Sequence, residues 1–490
     1  MKTYHGYNVT GLESFEKLSA FLEKSREKPG AFETFERELG EAMRAVECDL
    51  KAEHLARYDI DARVISVGGQ ELRRCLDKEP KLYLSSSGPI SVKRNLFRPS
   101  GGGKSVCALD LRAGIVAGLC TPVLARQITF TMAGMTSQET ATLFREFGVE
   151  GPSSSTCDRI PKVVGEAWER QRVQWEAALR EQETVPAEAA VLAASLDGVM
   201  VPDKEAQREA KVLREERKKD LGKATGGPAG YREVGCGTVS LFDGRLGDES
   251  TRLATVRYGR APEYKKKTLT SQLDAEVASI LGARPDLTLV ALADGAEENW
   301  RYFAGPLWKN ATKIVDHGHA CQHLKAALAA AYGTDSIPGR SEYERLKVIL
   351  KEQDGGVGDV IAELLRLERK LREKTHTSGA RKKTLRDERK YFENQRERMD
   401  YATYGRLGLP IGSGVVEAAC KTLAVQRMKR SGMNWGDGKQ AILTVRALQQ
   451  SDRWGRGWEL IADSFRQTPQ IVESHGPFKT YSQPDFAVAA

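Results

Sequence analysis

Apolar residues recur at helical spacing through residues 10–58, most clearly at Phe32, Phe35, Leu39, Met43, Val46, Leu50 and Leu55, and this predicts two helices. Between 62 and 110 the period shortens. The runs ARVISV, KLYLS and ISVKRNLF, parted by Ser and Gly turns, read as strands. Residues 113–182 return to helical spacing: a helix, a glycine-containing turn, TSQETATLFREFG, a turn with Pro152, and a third helix capped by serines. Pro161 is expected in the first turn of that helix, or as a kink in it.

From residue 188 the pattern becomes α/β. EAAVLAASLDGVMV reads as a buried strand ending at Asp197, and LTLVALADGAEENW as one ending at Asp294. Between them lie two strand-like runs, REVGCGTVSLFD and RLATVRYG, and the amphipathic helix KKKTLTSQLDAEVASILGA. ATKIVDHGHACQHLKAALAAAYG is a strand running into a helix. Residues 340–403 are charged and helical, with Leu385, Phe392 and Met399 at the seven-residue spacing of a paired helix. A Gly-Ser-Gly turn then opens a helix with Glu417 near its start; GKQAILTVRALQQ predicts another, and the tail from 468 reads as irregular.

The pattern divides the chain into a helical region 1–60, a β-rich region 61–112, a helical region 113–185, an α/β region 186–335, a helical insertion 336–404, a return to the α/β part at 405–450, and a tail 451–490. A multidomain α+β and α/β protein is expected, as 490 residues exceed one small core.

Composition changes this picture little. Lys+Arg 75 against Asp+Glu 67 gives a net charge of +8, which permits a nucleic-acid partner without requiring one. Eight cysteines stand singly with no CxxC pair, which argues against a zinc ribbon or a disulfide framework and fits a reducing, cytoplasmic setting. The N-terminus has no apolar signal-peptide region, and the longest apolar run, AGIVAGLCTPVLA, is short and broken by Pro122, so no membrane span is expected.

The chemistry-bearing residues are acids at strand ends. Asp197-Gly198 and Asp294-Gly295 each follow an apolar strand, where ligands of open α/β sheets bind, though Asp-Gly is also a common turn. Hard oxygen donors of this kind favour Mg²⁺ or Mn²⁺, and two such ions can clamp the attacking and leaving oxygens of a phosphoryl transfer. Glu417, in the first helical turn where the helix dipole favours a carboxylate, can supply a third donor. Behind it come Lys421, Arg427, Lys429 and Arg430, with Trp435 beyond; they suit DNA phosphates and an unpaired base. The alternative is a solvated face with Glu417–Lys421 as an ordinary ion pair. Asp316 and His319 are expected beside the acids, while His319 and His323 at i, i+4 leave a zinc pair as an alternative. The basic stretch Lys204–Lys223 is a DNA-tracking flap or a solvated helix. Ser154, Ser155 and Arg159 open the third helix of a layout that suits a DNA-reading helix-turn-helix or a plain helical subdomain. SGGGKS at 100–105 lacks the first glycine of a phosphate loop and reads as a turn.

The blocks SLDGVMVP, YREVGCGTVSLFD, LADGAEENW, IVDHGHACQHL and GSGVVEAACKTLAVQRMKRSGMNW, in that order, resemble bacterial insertion-sequence transposases of the ISKra family. The resemblance runs from about residue 100 to 450. It implies an RNase H-like core with a DDE triad on Asp197, Asp294 and Glu417 as catalytic and metal-binding residues, and a D-x-x-H element on Asp316 and His319. It also implies two-metal cleavage and strand transfer of an insertion sequence, with Mg²⁺ or Mn²⁺. The expected partners are terminal inverted repeats and target DNA, bound through the N-terminal helix-turn-helix, and a second copy in a homodimer or larger homo-oligomer near the bacterial nucleoid. Related transposases carry Glu-x6-Lys; Ala424 stands at the lysine position here, which leaves Lys421 or Arg427 for that role. The alternatives are an RNase H-like nuclease or resolvase that cuts without joining, and a non-catalytic DNA-binding regulator.

Overall fold

The computed structural model describes residues 12–27, 30–221, 230–246, 250–373 and 378–474. In chain order the elements begin α1 (Glu13–Glu27), α2 (Phe32–Ala56), β1 (Ala62–Val67), β2 (Gln70–Ser85), β3 (Gly88–Pro99), β4 (Val106–Cys107) and α3 (Ala108–Ala113). There follow α4 (Pro122–Met132), α5 (Ser137–Glu146), α6 (Ser154–Glu181), β5 (Val191–Pro202), α7 (Lys204–Leu221), β6 (Tyr231–Phe242) and β7 (Arg252–Arg260). Next are α8 (Lys267–Ala283), β8 (Thr288–Ala293), α9 (Glu297–Tyr302), β9 (Thr312–Val315), α10 (His317–Tyr332), α11 (Ile337–Glu352), α12 (Gly356–Glu373) and α13 (Gly379–Gln395). The chain closes with α14 (Tyr401–Arg406), α15 (Gly414–Ala419), α16 (Gln426–Met428), α17 (Lys439–Gln450), α18 (Trp454–Ser464) and β10 (Gln470–Ser474). No helix among the described residues is long and apolar enough to cross a membrane.

Two compact units divide the chain, one of residues 1–172 and 455–490, the other of 173–454. The first holds a five-stranded sheet in the order β10-β1-β2-β3-β4. Its core joins Tyr83, Ile90 and Val92 to Leu55 of α2 and Leu109 of α3. The tail expected to be irregular supplies β10, antiparallel to β1 with Ile65 opposite Ile471. What lies beyond Ser474, and Gly222–Lys223 of the basic stretch, fall outside the described residues.

Local chemistry sets the α4–α5–α6 helices of this unit. Pro122 sits in the first turn of α4. The Thr136 side chain and Glu139 form a capping box on α5. Ser153 Oγ accepts from Thr156 N at 3.2 Å at the start of α6. Pro161 lies inside α6, past its first turn, which leaves the second of the two expected placements, within the helix.

The second unit is built on a mixed sheet in the order β7-β6-β5-β8-β9. The β5·β6 and β6·β7 pairs are antiparallel, and the β5·β8 and β8·β9 pairs parallel. Helices cover both faces. On one, Leu269 and Leu273 of α8 press onto the glycines of β6, where a Cβ at Gly237 would stand 3.0 Å from Leu273. On the other, Val201, Val234 and Cys236 pack with Ala419, Leu423, Met428 and Leu443. This alternation follows from the two-residue period of a strand. Leu346, Val360, Leu364, Leu385, Phe392 and Met399 of the helical insertion join the same core as Val290 and Ala291 of β8.

β2 and β3 extend beyond the runs KLYLS and ISVKRNLF, and β5 runs past its expected end. β5 does not end at Asp197; it stays paired with β6 as far as Pro202 opposite Tyr231. Val199 and Val201 continue the β pattern, and Gly198 faces Gly235 across the pair, so Asp-Gly here is extended backbone and not a turn. Only the parallel partnership stops early, its last pair being Ser195–Leu292.

Candidate metal centre

The registers of three parallel strands bring three acids to one level. Two residues on from the Ser195–Leu292 pair come Asp197 and Asp294; one residue on from the Ala293–Val315 pair come Asp294 and Asp316. The ladder continues there, Asp316 N donating to Ala293 O at 2.8 Å. Asp294 and Asp316 directly follow the ends of β8 and β9, while Asp197 lies two residues past the last β5–β8 pair, so the register puts all three toward one edge of the sheet.

Each acid has a distinct setting. Asp197 lies opposite Cys236 and so shares its face of the sheet, the face that α15 covers. Its Oδ1 accepts from Gly198 N at 2.7 Å, and its Oδ2 from the Cys420 thiol at 3.6 Å. The neighbouring Cys236 thiol, burial and the Asp197 carboxylate hold the Cys420 thiol well above its usual pKa, so it stays a protonated donor. Asp294 Oδ1 accepts from Ala296 N at 2.9 Å and Asn299 Nδ2 at 2.8 Å. Asp316 is buried and caps α10, with Oδ1 accepting from His319 N at 2.5 Å. Its Oδ2 accepts from Ser413 N, tying the end of β9 to the Gly-Ser-Gly turn. His317 N donates to Ile411 O at 2.9 Å and strengthens the same tie.

That turn delivers Glu417. Its carboxylate is half exposed, with His319 Nε2 3.8 Å from Oε1 and Ser413 Oγ donating to Oε1 at 3.4 Å. Asp316, His319 and Glu417 each offer a donor atom within 4.8 Å of the others. Two carboxylates and an imidazole are a donor set that fits a divalent cation. Both Asp316 oxygens already accept a backbone N–H, but a carboxylate has lone pairs to spare for a metal. His319 therefore pairs with Glu417. His323 points elsewhere, Nδ1 lying 2.6 Å from Glu388 Oε2 with its ring stacked on Tyr391.

The sequence did not single out Ser413 and Cys420, which touch Glu417 and Asp197. Both lie within the flagged turn-and-helix block, so their positions were visible and only their contacts were not.

The expected DNA-contacting residues divide. Lys421 is exposed on the helical run that begins at Gly414, and Lys429 and Arg430 are exposed just past its end at Met428. Arg427 is buried, its guanidinium 4.8 Å over the Trp435 ring, and Trp435 Nε1 donates to Met428 O at 3.0 Å. These two face each other and the protein interior. In the other unit Ser154, Ser155 and Arg159 are exposed at the start of α6.

No protein-family model matches the chain. No curated protein matches it either. Among solved structures, the Drosophila P element transposase strand transfer complex is similar at a TM-score of 0.24 and 8% identity, over 72% of this chain and 82% of that chain. A superposition that loose assigns no fold.

Proposed function

We propose that this chain is a divalent-cation-dependent DNA transposase, which cuts DNA and joins the freed end to a target, on an RNase H-like core. One arrangement supports the reading. Asp316, His319 and Glu417 offer donor atoms within 4.8 Å of one another, Asp316 is tied to the turn that carries Glu417, and the strand registers would bring Asp197 and Asp294 toward the same edge of the sheet. The mixed strand order and the helices on both faces suit such a core. Asp316, His319 and Glu417 would hold one cation, and Asp197 and Asp294 would complete the cage for a second; Mg²⁺ or Mn²⁺ matches the oxygen-rich donors. When bound, such ions polarise a phosphoryl oxygen and stabilise the charge that builds on it.

The protein's own groups do the rest. His319 and Ser413 fix the Glu417 carboxylate, and the Cys420 thiol holds Asp197 toward the same helix. Lys421, Lys429 and Arg430 would hold the phosphates of the strand being cut. In the first unit α4, α5 and α6 would act as the helix-turn-helix that reads the terminal inverted repeats, with Ser154, Ser155 and Arg159 at the groove. Joining needs two DNA ends together, so a dimer or larger assembly is part of the reading.

The experiment incubates the purified protein with DNA taken from either side of its own coding sequence, a supercoiled plasmid as target, and Mg²⁺ or Mn²⁺. Cleaved and joined products are expected with the wild type and neither with Glu417→Gln. Cleavage without joining would make the chain a nuclease or resolvase. Sequence-specific binding with no cleavage under either ion would leave a DNA-binding regulator.

A further inference from the structure

The helical insertion reaches the candidate centre. Tyr391 Oη of α13 donates to Asp294 O at 3.0 Å, and Gln395 Nε2, at the end of α13, donates to Gly295 O at 3.0 Å. Both carbonyls of the Asp294–Gly295 step are therefore held by side chains of one helix. Gly295 has φ +95°, and a Cβ there would stand 2.8 Å from Tyr391 Oη, so the tyrosine closes on a position that only glycine fills.

Tyr391 is braced from behind. The His323 ring of α10 stacks on it at 3.6 Å between centroids, and Glu388 Oε2 sits 2.6 Å from His323 Nδ1. Gln395 is braced too, its Oε1 accepting from Arg398 Nη1 at 2.9 Å, while the Arg398 guanidinium lies 4.7 Å over Trp300 of α9. The segment from Asp294 to Trp300 is thus gripped at both ends. A glycine next to an acid is otherwise a swivel, and metal-binding carboxylates depend on such outer contacts for their aim.

We infer that Tyr391 and Gln395 are positioning residues for Asp294: the insertion sets the direction of that carboxylate through the two backbone carbonyls. The inference rests on the reading of Asp294 as a metal-binding acid. Of its two carboxylate oxygens, Oδ1 is engaged by Ala296 and Asn299, and Oδ2 has no protein hydrogen-bond partner among the described residues. The backbone grip decides where that second oxygen points.

The test uses the full chain with Tyr391→Phe, Gln395→Glu and the double variant, all close in shape to the original residues. Amide hydrogen exchange of peptides covering 293–300, without DNA or metal, reads the grip directly. Each single variant should speed exchange there about five- to tenfold, the equivalent of one lost hydrogen bond, with peptides from β5 and β6 unchanged. Mn²⁺ binding followed by electron paramagnetic resonance should weaken about tenfold in the double variant, while the half-saturating DNA concentration stays the same. Unchanged exchange at 293–300 with a folded double variant overturns the inference, as does unchanged Mn²⁺ affinity. If the double variant does not fold, the single variants decide by the same two readouts. A wild type that binds Mn²⁺ yet never cuts DNA would refute the transposase reading and leave this one standing.

Discussion

At the scale of single residues, Asp203 shows how a buried acid couples folding to pH. Burial alone would raise its carboxyl pKa. Lys439, the Ala206 N–H and Arg232 outweigh that and bring it below the ordinary value of 3.8. A depressed folded-state pKa gives stability that is present above the unfolded value and lost as pH falls through the folded one. Asp203→Asn should therefore cost about 1.5–3 kcal/mol at neutral pH, the range for a hydrogen bond to a charged group, and flatten the fall in stability below about pH 4. Denaturant titrations across that pH window check both parts; parallel acid limbs for the two proteins would refute it. The acids of the candidate centre are expected to behave otherwise. Asp197→Asn, Asp294→Asn and Glu417→Gln should each lower DNA cleavage by more than about 100-fold, the upper range for losing an outer contact to a metal site, with unfolding midpoints close to wild type. Ser413→Ala, which removes only a support of Glu417, should fall within about 10–100-fold.

At the scale of elements, the helix that carries Glu417 is α-helical from Gly414 to Ala419, π-helical over Cys420–Val425 and α-helical again to Met428. The wider turn rotates everything after it, and π-turns recur at functional sites. Arg427 stands four residues after the buried Leu423 and three after the buried Ala424, so helical spacing already sets it on their face, and in the structure it turns inward onto Trp435 while Glu417 pairs with His319. Where one period holds throughout, the reading succeeded: Leu385 and Phe392 are buried as their spacing required, and so is Met399, although α13 has ended before it. It failed at β10, whose pairing with β1 spans most of the chain and leaves no local mark in QIVES. The strand-end acids were legible as apolar runs stopping at Asp-Gly, but their common level comes from the register of three strands, which no local pattern encodes. A second element-scale feature is Arg453, just before α18, buried with Glu276 and donating to it at 2.6 Å while also reaching Glu183 and Tyr258. Arg453→Met leaves the buried Glu276, among the described residues, with only the Tyr258 hydroxyl and Arg180 at 3.9 Å, and should cost about 3–5 kcal/mol in denaturant unfolding of the full chain. Adding Glu276→Gln should return part of that, because the uncompensated charge is gone.

At the scale of the whole molecule, a net charge of +8 on 490 residues is too small to bind DNA by general attraction alone, so the placement of cations must matter more than their number. The exposed Lys421 shares the helical run that carries Glu417, and the exposed Lys429 and Arg430 directly follow its end at Met428, which would put phosphate contacts next to the carboxylates proposed to do the cutting. Each phosphate contact releases counterions, and the logarithm of the binding constant falls with the logarithm of salt by about 0.9 per contact on duplex DNA. Replacing Lys429 and Arg430 together by alanine should reduce that slope by about two and weaken binding similarly on every sequence tested. Arg159→Ala should act differently if α6 reads base edges: it should lower the preference for the flanking repeat over unrelated DNA, with a change in slope of about one at most. Fluorescence anisotropy between 50 and about 200 mM salt, on repeat and unrelated duplexes, separates the two. An unchanged slope in the Lys429/Arg430 variant would remove the basic end of the Glu417 helix from the DNA path. The carboxylates would then need another surface to present a strand to them.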